Sequence, residues 1–297
     1  MSILGGFSCA LIGGFVSVML YGITTLQTYV YYMHYSEDAS ATKFLVAVIW
    51  VLDSLYASFM CRMLYYYLVT NYGIPTSLEY LVWSLPASLL VDVLVVFVVQ
   101  CFFAHKIYHL CRPQVKWLVT APILISVLAH FGFGMGMAVF MFVNTEASAA
   151  EQIRFSVLIP YGALAIVPEG LITASLCILL YDSSSRSMFP RTKQLLNTLI
   201  IYAVNRCLLT LLVAIGELTA SVYQQNTWAT VLDFIIGKLY ANSLLASLNT
   251  RQFLRNQGSP SGTEPDRYTK AVHVANLPKR SDDVESSMDG ARQFDMR

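Results

Sequence analysis

The sequence predicts an all-α polytopic membrane fold, a seven-transmembrane helix bundle with its N-terminus outside and its C-terminus cytoplasmic. Three observations predict it. Of the 297 residues 56% are hydrophobic and only 12% charged, about half the charge content of an ordinary soluble domain. Seven stretches of mostly apolar residues are each roughly 20 or more residues long, enough to cross a ~30 Å hydrocarbon core at about 1.5 Å per residue. Charge is also segregated along the chain, with 24 charged residues among the first 255 and 13 among the last 42. Residues 1–250 therefore read as a helical bundle and residues 251–297 as a disordered cytoplasmic tail, too poor in apolar side chains to offset its ordering entropy.

The spans follow in order. Ile3–Tyr32 opens the chain without a basic n-region or a small-residue cleavage site, so it reads as an uncleaved signal anchor. Lys43–Val69, Leu81–Ala104, Trp117–Val143 and Phe155–Tyr181 are separated by polar connectors such as His34–Asp38, Asn71–Pro75, Arg112–Gln114 and Asp182–Arg186, rich in turn-forming residues. Leu195–Tyr223 and Trp228–Leu248 complete the set, parted only by Gln224–Thr227. An outer-membrane barrel would show alternating segments of about ten residues; these runs are unbroken. Prolines at 86, 122, 160 and 168 fall within spans and are expected to kink them. Small residues in span one (Gly6, Ala10, Gly13, Gly14, Ser17) and span four (Gly132, Gly136) are expected to let helices approach closely within the bundle, with homo-oligomerisation the alternative use.

Orientation comes from the positive-inside bias. Loops one, three and five and the start of the tail carry nine basic residues (Lys43, Lys106, Arg112, Lys116, Arg186, Arg191, Lys193, Arg251 and Arg255), whereas the opposite loops carry only Arg154. Tyrosines and tryptophans near the span ends supply interfacial anchors on both sides. The bilayer is the first partner; the plasma membrane is the expected location, with an internal membrane as alternative. The net charge of +1 leaves no basic excess for nucleic acid. No CxxC pair occurs among the six cysteines, and no metal or cofactor is implied; Cys111, between basic residues at the membrane edge, is a candidate for palmitoylation.

Eight ionisable residues fall inside spans, each costing about 2.5–3.5 kcal/mol on insertion scales if it faced lipid, so they are expected to face the interior or water. Position along the spans sorts them into a buried polar core of Asp53, Asp92, Glu169, Arg206 and Lys238, joined by Asn242, and an exoplasmic charge layer of Arg62, Glu217 and Asp233. Asp233 and Lys238, five apart, cannot form a same-face pair. With acids outnumbering bases in the interior, one or two carboxyls are expected to be protonated.

Several segments together carry a family resemblance: Tyr21–Thr24 with Gln27–Tyr29, Trp50–Asp53, Val69–Gly73, Val99–Ala104, Leu196–Tyr202 with Asn205-Arg206, and Lys238–Asn249. Over roughly Gly13–Arg255 the chain resembles an uncharacterised family of seven-span fungal membrane proteins, domain of unknown function 6534. That family has no agreed activity, so the resemblance implies an architecture and no mechanism. The expected function is that of a receptor- or sensor-like bundle taking a small-molecule ligand at the polar core; the alternative is a proton- or ion-coupled transporter. A retinal-binding reading rests on Lys238 in span seven with Asp92 as counterion. Enzymatic activity is not expected: no HExxH or Gly-x-Ser-x-Gly occurs, and His130 is the single histidine in mid-membrane.

Overall fold

A computed structural model of the chain describes residues 3–74, 77, 80–146, 159–186, 204, 208–216, 218–220 and 226–257, with side chains omitted at 3–9, 180–186, 226–230 and 251–257. The described helices belong to one compact unit, Met1–Gly258. They are α1 (Ile3–His34), α2 (Ser40–Tyr65), α3 (Ser84–Leu110), α4 (Lys116–Val143), α5 (Ile159–Arg186), the shorter apolar α6 (Leu208–Ala220) and α7 (Asn226–Gln257). Six of them are long and apolar enough to cross a membrane, and α6 lies within the sixth expected span, the rest of which is outside the described residues. The helix of the last span runs on to Gln257, past the expected boundary at residue 250, and the tail beyond it lies outside the described residues.

Helices form here because every backbone polar group in hydrocarbon must be bonded within its own segment. Their outer faces are what lipid requires: Phe15, Met19, Leu26, Ile125, Leu128 and Ile178 are among the large apolar side chains left exposed, far more than a water-soluble surface tolerates. α3 and α7 are the most enclosed helices. α1 packs along α7, α2 and α4 flank α3, and α5 lies against α4 and α3. The apolar core is built from Val95, Val99, Ile107, Ile123, Leu244 and Leu245 with their neighbours.

Close approach of α1 to its neighbours depends on small residues. A Cβ on Gly13 would press on Val231 and Phe234 of α7, and one on Gly14 would meet Leu64 of α2. In α4 the expectation fails. Gly132 and Gly136 are exposed, with nothing within 4 Å of a Cβ, and the glycine that packs is Gly134, against Val93 of α3 and Tyr161 of α5. The helix turns Gly134 inward and so rotates its neighbours two residues away outward.

The prolines divide in the same manner. Pro122 and Pro168 sit inside helices. Pro86 is the third residue of α3, where its missing N–H would have had no intrahelical partner, so it begins a helix and breaks none. At this end of the bundle α2 closes with a π-helical turn, Tyr66–Thr70, and Gly73 takes φ +76°, a left-handed conformation suited to glycine. Tyr67 clamps the loop that follows: its hydroxyl donates to the Tyr80 carbonyl and accepts from the Val82 N–H. The Leu81 N–H reaches the Thr145 carbonyl at 2.7 Å, tying this loop to the one after α4.

Candidate functional site: a divided polar core

The polar interior falls into three connected parts, each built by different helices. The first is an ion pair between α2 and α7. Lys238 Nζ lies 2.6 Å from Asp53 Oδ1 and 2.9 Å from the Asp53 carbonyl oxygen, with both residues buried. The remaining sides of the ammonium face two tyrosine rings, Tyr56 at 4.8 Å and Tyr21 at 5.1 Å from their centroids. A cation out of water needs this much compensation: a carboxylate, a carbonyl dipole and two negative ring faces. One turn further along α7, Asn242 donates to Thr24 Oγ1 at 3.0 Å and to the Leu20 carbonyl at 3.2 Å. Asn249 donates to the Gln27 carbonyl at 2.8 Å. Lys238, Asn242 and Asn249 thus form one stripe down α7, and α1 reads it by hydrogen bonds from the two asparagines.

The second part surrounds Glu169 on α5. Thr210 of α6 donates to Oε2 at 2.9 Å and Gln100 of α3 to Oε1 at 3.4 Å, while Tyr240 of α7 stands near the same carboxyl. Pro168, directly before Glu169, has no N–H to give the carbonyl four residues earlier, so the acid lies beside a loosened stretch of helix.

The third part is a cavity of about 20 Å³, room for about one water molecule. Asp92 of α3, His130 of α4, Tyr161 of α5 and Asp233 and Tyr240 of α7 line it. Asp92 and His130 are both about 5% exposed. The His130 ring stacks on Tyr161 at 5.0 Å, and its Nε2 has no hydrogen-bond partner among the described residues. Asp92 leans on the backbone of Gly237 so closely that a Cβ there would overlap its carboxylate. Tyr240 belongs to both the cavity and the Glu169 cluster, and joins them.

The expected grouping is thereby redrawn. Asp53, Lys238 and Asn242 come together, Glu169 sits apart with neutral partners, and Asp92 stands with Asp233 on the cavity instead of with Lys238. Asp233 therefore does not belong to a separate exoplasmic layer. Arg62 does not face the interior: it is exposed, with its guanidinium 4.7 Å above the Trp83 ring, an aromatic face taking the place of an acid at the span end. Arg206 and Glu217 lie outside the described residues. Lys238 is bonded on every side, the surroundings of a structural ion pair and not of an amine free to bind retinal. No group of three or more His, Cys, Asp or Glu able to hold a metal occurs among the described residues. Cys111, in the turn after α3, is half-buried against the core, and that burial pushes its thiol above the ordinary range. Gln100, His130, Tyr161, Gly237 and Tyr240 carry the site's geometry without having been among its predicted members; His130 stood out in sequence as a lone mid-membrane histidine, and only the three-dimensional arrangement singles out the others.

Residues 165–253 match a family of unknown function, DUF6534. The DUF6534 match spans most of α5 to α7 and contains Glu169, Thr210, Asp233, Gly237, Lys238, Tyr240 and Asn242, while Asp53, Asp92 and His130 come from the part before it. Each of the three polar clusters therefore joins the DUF6534-matching segment to helices outside it. No curated protein and no solved structure matches the chain. The chain is a multi-pass membrane protein carrying a domain of unknown function.

Proposed function

We propose that the chain is a seven-span, receptor- or sensor-like membrane protein, with the N-terminus outside and the loops bearing Lys43, Lys106 and Arg112 in the cytoplasm. What supports this reading is that the polar interior, among the described residues, is a bonded network. Its three clusters link all seven described helices, α4 through His130 on the cavity. A change of charge or ligand at that cavity alters the packing of α3 against α7, whose other ends meet where Lys106 Nζ donates to Ser247 Oγ at 2.8 Å. A sensor needs such a contiguous link between an interior event and one membrane face. The plasma membrane is the location that fits an exoplasmic N-terminus.

A proton- or ion-coupled transporter is the second reading, favoured by the two carboxylates and one histidine on a single cavity. The two are separated with the full chain in lipid nanodiscs and proteoliposomes. An environment-sensitive label on Cys111, with the other cysteines replaced by alanine, reports motion at the inner face while pH is stepped and small solutes are added. A label response without flux supports the sensor. Flux of protons or solutes that is lost in Asp92→Asn and Glu169→Gln supports the transporter, and the absence of both responses overturns both readings. Reporter fusions in each loop test the orientation.

A further inference from the structure

The cavity between α3, α4, α5, α6 and α7 has a charge problem that its described neighbours do not solve. Asp92 and Asp233 border it from two helices, and no side-chain donor among the described residues bonds either carboxylate; the Tyr56 hydroxyl reaches Asp233 only at its backbone carbonyl. Lys238, the nearest base among the described residues, is committed to Asp53 by a 2.6 Å contact and to the Asp53 carbonyl. Glu169 is satisfied by the donors Thr210 and Gln100. Among the described residues the titratable groups lining the cavity are Asp92 from α3, His130 from α4, Tyr161 from α5 and Asp233 and Tyr240 from α7, with Asp53 and Tyr56 of α2, Glu169 of α5 and Lys238 of α7 behind them; α6 adds Ala214 to the lining. With Lys238 balancing Asp53, two facing carboxylates in a low-dielectric interior cannot both stay ionised without a cation between them.

We propose that this cavity is a proton-binding site, in which Asp92 and Asp233 share one proton through a water molecule and His130 Nε2 is the group that accepts the proton when it leaves. Three observations point to a proton and not to a metal ion. The volume admits about one water. Asp92, Asp233 and His130 line the cavity, but they do not form a group able to hold a metal, and no such group occurs among the described residues. His130 supplies a buried nitrogen, unpartnered among the described residues, on the same cavity. In the transfer an O–H bond of the carboxylic acid breaks and an N–H bond to His130 Nε2 forms, so the cavity keeps its charge while the negative charge becomes localised on the carboxylate pair. Gly237 gives the device its sensitivity: Asp92 lies directly on the α7 backbone, so a change in its charge acts on the helix itself with no flexible side chain between.

The inference rests on the sensor reading for the purpose of the site, and its occupancy is tested separately. Infrared spectra of the full chain in nanodiscs at pH 7 are expected to show the carbonyl stretch of a buried, protonated carboxylic acid, shifted in heavy water. Labelling aspartate with heavy carbon at its carboxyl is expected to displace that band, and labelling glutamate is expected to leave it in place, a comparison that needs no variant to fold. Asp92→Asn and Asp233→Asn, checked for an unchanged elution profile, are expected to remove or move the band, and Glu169→Gln to retain it. Absence of the band, its displacement by labelled glutamate instead, or its loss when sodium replaces choline at constant ionic strength would each overturn the proposal. A band present while the Cys111 label stays silent to pH supports the proton site and sinks the sensor reading, so the two fail independently.

Discussion

Replacing Lys238 by methionine keeps most of the side-chain stem and removes the charge, which makes it the sharpest test of the ion pair. Two hydrogen bonds to Asp53 disappear, each of a class worth about 1.5–3 kcal/mol when one partner is charged. Two ring contacts go with them, at about 0.5–2 kcal/mol each. The gross loss exceeds the net, because a helix separated from the bundle in lipid also finds partners for its polar groups. What decides the outcome is the Asp53 carboxylate, buried at 2% exposure with its cation gone, a situation that costs about 3–5 kcal/mol. On the usual scaling for chains of this size, Tm falls by roughly 6–20 °C. Asp53→Leu alone strands the lysine and is expected to cost a similar amount, whereas the double variant Asp53→Leu/Lys238→Met should return to within about 1–2 kcal/mol of the parent. Thermal unfolding in detergent, followed by thiol exposure, measures all four proteins. If either single variant costs less than about 1 kcal/mol, or the double loses the sum of both, the pair is not the buried, mutually dependent unit described above.

Gly237→Ala is expected to destabilise by about 1–3 kcal/mol through overlap with the Asp92 carboxylate, and the loss should shrink in an Asp92→Ala background, measured by the same melts. In α4, Gly134→Ala should cost a comparable amount against Val93 and Tyr161, while Gly132→Ala and Gly136→Ala stay within about 0.5 kcal/mol because their faces are open; equal losses at all three would show that the helix is rotated otherwise. Thr210→Val should cost about 1–3 kcal/mol by taking a donor from Glu169, and its effect should be non-additive with Gln100→Leu. At Cys111 burial favours the neutral thiol, so the thiolate fraction at pH 7 is below that of a free cysteine. Its labelling rate by maleimide, with the other cysteines replaced, should climb roughly tenfold per pH unit with a midpoint above that of the unfolded chain, and a midpoint at or below the unfolded value would count against the buried position.

The helical architecture was legible because lipid imposes it through length and composition, and both can be read from a string of letters: α2 to α4 coincide with their expected spans to within a few residues. The charged participants were legible for a related reason. Few ionisable residues occur in the apolar runs, so each stands out. Their pairing was not legible, since depth along a span says nothing about rotation around it. Asp53 and Asp92 sit at similar depth, and only the facing of α2 and α3 toward α7 assigns Lys238 to the first. Arg62 shows the same limit from the other side: sequence places it in a span, but a tryptophan 21 residues later supplies the ring that lets it remain at the perimeter.

Glycine carries the part of the design that hydropathy misses. Residues without side chains add nothing to an apolar count, yet Gly13, Gly14, Gly134 and Gly237 decide which helices touch. At Gly237 the missing Cβ does more than admit a neighbour; it lets a carboxylate take the position of a side chain. An acid brought that close to a helix backbone acts on the helix through its charge, and the one base nearby among the described residues is already engaged by Asp53. The ion pair and the cavity are therefore two halves of one arrangement: by holding Lys238 on α2, Asp53 leaves Asp92 and Asp233 without a fixed counter-charge. Removing Asp53 would leave the stranded lysine's charge acting on those two acids with no carboxylate of its own, so the same substitution that tests stability should also discharge the proton from the cavity.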